Sequence, residues 1–182
     1  MNQKTVQTRI YLRAFEPDDY KTTIVWRNDK QIADKLGGGR LFVSGAREKK
    51  WIEDTIFNSS DIKLAVCLKN NNLHIGNVYL TDINYINRTA ESHILIGNKE
   101  YWGQGYACEA LHEILCYGFE ERGLNRVFAH VNIDNLASLR MHVKCGYKQE
   151  GILRQAVFKN GAFKDVVVMS ILKDEFDQNR NK

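Results

Sequence analysis

The chain has 182 residues, of which 43% are hydrophobic and 26% are charged, and its formal net charge is +4. This balance is typical of a globular protein with one core, and it predicts a single domain over residues 1–182. The small, dispersed positive charge gives no reason to expect a nucleic-acid partner. No apolar run approaches the length of a membrane span, so no membrane partner is expected either.

Four cysteines occur without any CxxC pairing and without histidines at metal-ligand spacing: Cys67, Cys108, Cys116 and Cys145. The N-terminal residues lack the apolar stretch of a signal peptide. We therefore predict a cytoplasmic protein with reduced thiols and no bound metal.

The N-terminal quarter predicts one strand followed by helices. "RIYLRAF" (9–15) alternates like a strand, and Pro17 is suited to open a helix that runs to residue 28. A short second helix is expected to end at the glycines of residues 37–40. Ser44 is then a suitable N-cap for the helix "AREKKWIEDTIF".

The rest of the chain alternates strands and helices. Strands are predicted at 62–69, 73–83, 90–97, 126–133, 152–159 and 163–172, and helices from about residue 106 and over 135–146. The first two of these strands form a hairpin, and Asn160-Gly161 favours a second hairpin between the last two. The fold class is therefore α/β, around a mixed and mostly antiparallel sheet.

A glycine-rich loop precedes the helix that begins near Tyr106. Gly103 and Gly105 have no side chains, and the first amides of a helix have no partner within it, so together they favour an anion such as a diphosphate. No lysine follows either glycine as a P-loop requires, and Cys108 replaces the third glycine or alanine of a dinucleotide fingerprint.

"WGQGYACEAL" followed by "VNIDNLASLRMHVKCGYKQEGILR" resembles the GNAT acetyltransferase superfamily. "LRAFEPDD", "IGNVYLTDINYINRTAE" and "GILRQAVFKNGAFKDVVVMSIL" are similar to its ribosomal-protein N-terminal and spermidine acetyltransferase branch. The similarity covers residues 9–175, in the same order. It implies the GNAT fold, with a sheet splayed at its central strands and helices on both faces, and acetyl-CoA as cosubstrate.

The resemblance also implies the cofactor-binding residues. The glycine loop should cradle the pyrophosphate of acetyl-CoA. Trp102 stands where the family usually has Gln or Arg. Its indole either lies near the adenine or serves in packing. Backbone groups of the splayed strand should contact the pantetheine arm, which an asparagine of the later helix also holds. The amide of Leu95 should polarise the thioester carbonyl. The residues are Ile94, Leu95, Ile96, Trp102, Gly103, Gln104, Gly105, Tyr106, Ala107, Asn135 and Ser138.

Acetyl transfer to an amine needs a neutral amine, and at pH 7 a lysine-like amine is neutral about once in a few thousand molecules. Glu91 and His93 lie two residues apart on one strand, so they share a face and are candidate bases. For Glu91 the structural alternative is an ion pair, for instance with Arg88, and for His93 a satisfied strand histidine is favoured over a base. His142 occupies the position of the family's proton-donating tyrosine and is the candidate acid.

A covalent intermediate on Cys145 is disfavoured because the sequence fixes no base beside it, so direct transfer in a ternary complex is expected. The basic segment "KLGGGRLFVSGAREKK" argues against a polyamine acceptor. A protein N-terminus is the first expectation, while "WRNDKQI" resembles nucleotide-linked amino-sugar acetyltransferases. A GNAT module that binds acetyl-CoA without turnover also stays open, as does a homodimer.

Overall fold

The computed structural model describes residues 8–36, 42–58 and 60–180. These described residues form one seven-stranded sheet in the order β1-β2-β3-β4-β5-β7-β6. Neighbouring strands of this sheet run antiparallel, with the exception of the parallel pair β4 and β5. The strands are Ile10–Ala14 (β1), Ile62–Leu68 (β2), His74–Asn84 (β3), Thr89–Ile96 (β4), Arg126–Asn132 (β5), Lys148–Lys159 (β6) and Ala162–Leu172 (β7).

Helices cover both faces of the sheet, as predicted, because the strands carry buried apolar side chains on both faces. One core cluster joins β-strand residues to Leu111 and Ile114, and a smaller one gathers around Phe15 and Ile52. The helices of the described ranges are Tyr20–Asn28 (α1), Lys30–Ala33 (α2), Gly45–Asn58 (α3), Tyr106–Cys116 (α4), Leu136–Lys144 (α5) and Lys173–Arg180 (α6).

The predicted strands and hairpins are confirmed to within a few residues at their ends. Ser44 caps α3 as expected, since its Oγ accepts the Arg47 amide over 3.2 Å. Pro17 opens a short 3₁₀ turn, Pro17–Asp19, before α1 begins. The sequence reading missed α6, whose buried residue is Phe176. The predicted glycine turn at 37–40 lies outside the described residues.

Lys159, at the end of β6, anchors the β6–β7 hairpin to α2. Its Nζ donates to the carbonyl oxygens of Ala33, Asp34 and Leu36, the first two over 3.1 and 2.8 Å. These carbonyls lie at the C-terminal end of α2, where a helix leaves acceptors unpaired and attracts a cation. The ammonium therefore holds the segment around Leu36 against the sheet.

No helix of the described ranges is long and apolar enough to cross a membrane. Within the same ranges, no three or more histidine, cysteine, aspartate or glutamate side chains are grouped so that they could hold a metal ion.

Candidate active site

The central feature is an opening in the sheet between β4 and β5. The two strands pair over three residues each, and the last pair is Glu91 with Phe128. Beyond it, β4 continues along β3 while β5 continues along β7. The backbone of β4 that faces β5 beyond this point has no strand partner, so its amides are available to a ligand.

The register of β3 and β4 decides which amides face the opening. The Gly97 amide donates to Ile75 of β3 over 2.9 Å, and bonding directions alternate along an antiparallel strand. The Leu95 amide therefore faces β3, whereas Ile94 and Ile96 face the opening. The expectation that Leu95 supplies the free amide is corrected: the amide of Ile94 or Ile96 is in position to polarise a carbonyl.

The glycine loop turns sharply before α4. Gly103 and Gly105 have φ angles of 72° and 89°, in the left-handed region that other residues avoid. The amides of residues 103–107 donate to no acceptor among the described residues. Five successive unpaired amides at a helix N-terminus favour an anion, and the helix dipole adds to that preference.

Two cations that the sequence reading missed surround this N-terminus. Arg9 donates to the Gln104 carbonyl over 2.7 Å, pairs with Glu109 and lies 4.0 Å from the centre of the Tyr106 ring. A hydrogen bond with Cys145 and, after it, the charge of Lys144 in α5 lower the pKa of Cys108 in the first turn of α4. No local pattern distinguishes either cation from other surface cations, so only the packing reveals them.

Trp102 lies against the end of β4. Its indole Nε1 donates to the Ile96 carbonyl oxygen over 2.6 Å, and Lys35 Nζ lies 4.9 Å from the ring centre. The indole is thus a structural link between the loop and the opening. This favours the packing role over a position beside the adenine.

Asn135 caps α5 and also joins that helix to the segment after α2. Its Oδ1 accepts the Ser138 amide over 3.2 Å, and its Nδ2 donates to the Lys35 carbonyl over 3.1 Å. One amide proton stays available for a ligand. Ser138 lies one turn along α5, with its Oγ 3.4 Å from His142 Nδ1.

A cleft of about 270 Å³ opens on the face of the sheet that α1 covers. His93 and Leu95 of β4 project into it because alternate residues of a strand share a face. None of the described residues that line the cleft is acidic. They are Thr23, Trp26, Arg27, Leu36, Asn77, Tyr79, Thr81, His93, Ile94 and Leu95.

Glu91 pairs with His130 of β5, a residue that the sequence reading missed. His130 Nδ1 lies 2.8 Å from Glu91 Oε1, whereas His93 Nε2 lies 3.9 Å from Glu91 Oε2 and 2.8 Å from Thr81 Oγ1. The alternative of an Arg88 ion pair is therefore corrected. His130 carries no motif of its own, and only the pairing of β4 with β5 places it beside Glu91.

His142 lies on the opposite face of the sheet. It is 3% exposed and packs edge-on against Tyr147, whose hydroxyl is 2.8 Å from Ser92 Oγ. Its Nδ1 is 2.9 Å from the Ser138 carbonyl oxygen, which can only accept, so Nδ1 carries the proton.

The buried Nε2 of His142 has no partner among the described residues, and burial lowers the pKa of the imidazole. Neutral His142 therefore presents a bare lone pair at Nε2. In this form it accepts a hydrogen bond at Nε2, which argues against the predicted role of His142 as a general acid.

Cys145 lies at the C-terminal end of α5, with its Sγ 3.7 Å from Met141 Sδ. A hydrogen bond with Cys108 and burial raise the pKa of Cys145. A thiol with a raised pKa is a poor nucleophile, in line with the expectation that transfer does not pass through Cys145.

Comparison with known proteins identifies the family. Residues 9–148 match the acetyltransferase (GNAT) domain, and the chain belongs to this family. A spermidine N(1)-acetyltransferase of Vibrio cholerae is 36% identical over 102 residues, 56% of this chain and 58% of that relative's own length. The Bacillus licheniformis protein p20, an uncharacterized N-acetyltransferase, is 28% identical over 92% of this chain and 95% of its own.

Among solved structures, the spermidine N-acetyltransferase of Vibrio cholerae in complex with CoA and spermine matches with a TM-score of 0.85. It is 28% identical and the match covers 92% of this chain and 98% of that one. The predicted GNAT fold is thereby confirmed.

Proposed function

We propose that the protein transfers the acetyl group of acetyl-CoA directly to a primary amine. The observation that carries this proposal is the run of unpaired amides at residues 103–107, which adjoins the opening between β4 and β5. A pyrophosphate on those amides would direct a pantetheine arm along the unpaired edge of β4. The spermidine acetyltransferase bound to CoA supports the same assignment.

The acceptor enters from one face of the sheet, and the CoA thiolate leaves toward the other. The acceptor amine enters from the cleft beside His93 and Leu95, and its nitrogen attacks the thioester carbon. The amide of Ile94 or Ile96 stabilises the oxyanion that forms on the carbonyl oxygen. The C–S bond then breaks, and the thiolate leaves toward the face on which His142 lies.

We propose a protein N-terminus as the first acceptor class. The support is the absence of acidic residues among the described lining of the cleft, together with the presence of Arg27, which disfavours a polycation. A polyamine is the second candidate, because a similar structure holds spermine. Nucleotide-linked amino sugars remain a third class to test.

The test is release of the CoA thiol from acetyl-CoA in the presence of each acceptor class, against a blank without amine. The panel contains peptides with free N-termini, spermidine, spermine, amino acids and nucleotide-linked amino sugars. Release that depends on one class would establish the activity and name the acceptor. Binding of acetyl-CoA without release for any class would favour a non-catalytic module, and the absence of binding would contradict the proposal as a whole.

A further inference from the structure

Two histidines, His93 and His130, flank the opening in the sheet at equivalent positions on β4 and β5. His93 lies two residues beyond Glu91 on β4, and His130 lies two residues beyond Phe128 on β5. Since Glu91 and Phe128 form the last pair of the parallel ladder, both histidines stand where the strands separate. The Glu91 carboxylate lies between them, on the acceptor face.

The hydrogen bonds distinguish the two histidines. Glu91 Oε1 accepts from His130 Nδ1 over 2.8 Å, so Nδ1 carries the proton and Nε2 holds the lone pair. His130 Nε2 makes no hydrogen bond to a described residue, and the side chain is 38% exposed. A base of this kind is both open to a substrate and fixed in one tautomer.

His93 is 44% exposed and open to a substrate, but nothing fixes it in one tautomer, because a hydroxyl can donate or accept. Its Nε2 faces the Thr81 hydroxyl at 2.8 Å, and the 3.9 Å to Glu91 is too long for a hydrogen bond. Glu91 itself is 14% exposed and one of its oxygens is already engaged, so a substrate ammonium has poor access to it. The carboxylate is better placed to orient an imidazole than to meet the substrate.

We propose that His130 is the general base for the acceptor amine and that Glu91 is the residue that positions it, an inference that rests on the proposed acetyl transfer. The acceptor ammonium gives one proton to His130 Nε2, and the amine lone pair then forms the C–N bond with the thioester carbon. The C–S bond breaks, and the former amine nitrogen loses its second proton to the departing CoA thiolate. His130 returns its proton to solvent, leaving the N-acetyl product and CoA.

The kinetic test compares His130→Ala with His93→Ala in the 182-residue chain, measuring acceptor-dependent CoA release and acetyl-CoA affinity. We expect His130→Ala to lower kcat about 100-fold or more while the Kd for acetyl-CoA stays within about twofold. Added imidazole should restore part of the rate in His130→Ala alone. A loss below about threefold in His130→Ala, or imidazole rescue of His93→Ala instead, would overturn the assignment.

A second measurement does not depend on turnover. Nitrogen-15 correlation spectra of the histidine rings report which nitrogen carries the proton in the resting protein. We expect His130 as the Nδ1-protonated tautomer, shifting toward a mixture in Glu91→Gln because the neutral amide is a weaker acceptor. An Nε2-protonated His130 would refute this inference, whereas an inactive protein with the expected tautomer would refute only the proposed function.

Discussion

The indole Nε1 of Trp102 donates a hydrogen bond to the carbonyl oxygen of Ile96 over 2.6 Å, which joins the glycine loop to the end of β4. Both parts of the proposed cofactor groove therefore depend on one side chain for their relative position. The bond also shows that the Ile96 carbonyl points away from β3, as the strand register requires.

We expect Trp102→Phe to weaken acetyl-CoA binding about five- to tenfold. The phenyl ring keeps most of the packing but removes a hydrogen bond of about 1 kcal/mol, so the loop loses its fixed distance from β4. Isothermal titration with acetyl-CoA measures the effect. Trp51→Phe, in α3, is the matched control, and equal affinities in the two variants would contradict the role given to Trp102.

Gly105→Val should weaken acetyl-CoA binding at least tenfold. Gly105 has a φ of 89°, and a side chain there costs about 1–2 kcal/mol of backbone strain besides covering the loop amides. Gly123, with a φ of 66° and open space around it, provides the control, because Gly123→Val carries the strain without the ligand.

The comparison requires thermal melts of both glycine variants beside the titrations. We expect the melting temperature to fall by a similar amount in Gly105→Val and Gly123→Val. The affinity for acetyl-CoA should fall in Gly105→Val alone. Unchanged affinity in Gly105→Val would remove the loop from the cofactor site.

His142→Phe should leave kcat within a few-fold of wild type at neutral pH. The bare Nε2 of neutral His142 has no proton to give, so its loss removes no proton donor. Steady-state kinetics at pH 7.5 with saturating acetyl-CoA provide the measurement. A fall of about 100-fold, the size expected for a lost general acid, would restore His142 to that role.

His142 also predicts a pH dependence of stability. Burial lowers its folded pKa below the ordinary 6.5, so above that value both the folded and unfolded imidazoles are neutral and its contribution is complete. As pH falls below 6.5, the unfolded chain binds a proton that the folded chain excludes, and stability is lost down to the folded pKa.

Urea unfolding at pH 7.5, 6.5 and 5.5 checks this dependence. The free energy of unfolding should decline less steeply with falling pH in His142→Phe than in wild type. It should not vanish, because burial also lowers the pKa of His112. Parallel curves for the two proteins would show that His142 keeps an ordinary pKa.

Lys159→Met should destabilise the fold by about 1–3 kcal/mol and raise the KM for the acceptor. The substitution leaves three helix-end carbonyls without their donor and loosens Leu36, which lines the cleft. Lys148→Met, which removes an exposed pair with Glu175, is the control and should change neither quantity appreciably. An acceptor KM equal to that of wild type in Lys159→Met would show that Lys159 does not influence the cleft.

Much of the fold follows from local sequence. Strand alternation, the Asn160-Gly161 turn and the glycine loop before α4 are short-range patterns, and the structure reproduces them. The last helix escaped notice because "KDEFDQNR" is nearly all polar, and Phe176 alone among its residues is buried. A single apolar residue produces no periodicity.

The candidate site shows the same division. Glu91, His93 and the loop glycines were found from spacing and motif, because strand parity and helix N-termini depend on neighbours in the chain. The direction of the Leu95 amide, the partner of Glu91 and the tautomer of His142 depend on strand register and on contacts with other elements.

The sequence by itself therefore determined the family, the sheet class and the glycine loop before α4, all of which are encoded within short segments. Tertiary structure alone decided that the carboxylate of Glu91 meets His130, a residue 39 positions away. The physical reason is that hydrogen-bond direction and side-chain pairing arise only when separate strands are aligned, and alignment is a property of the whole sheet.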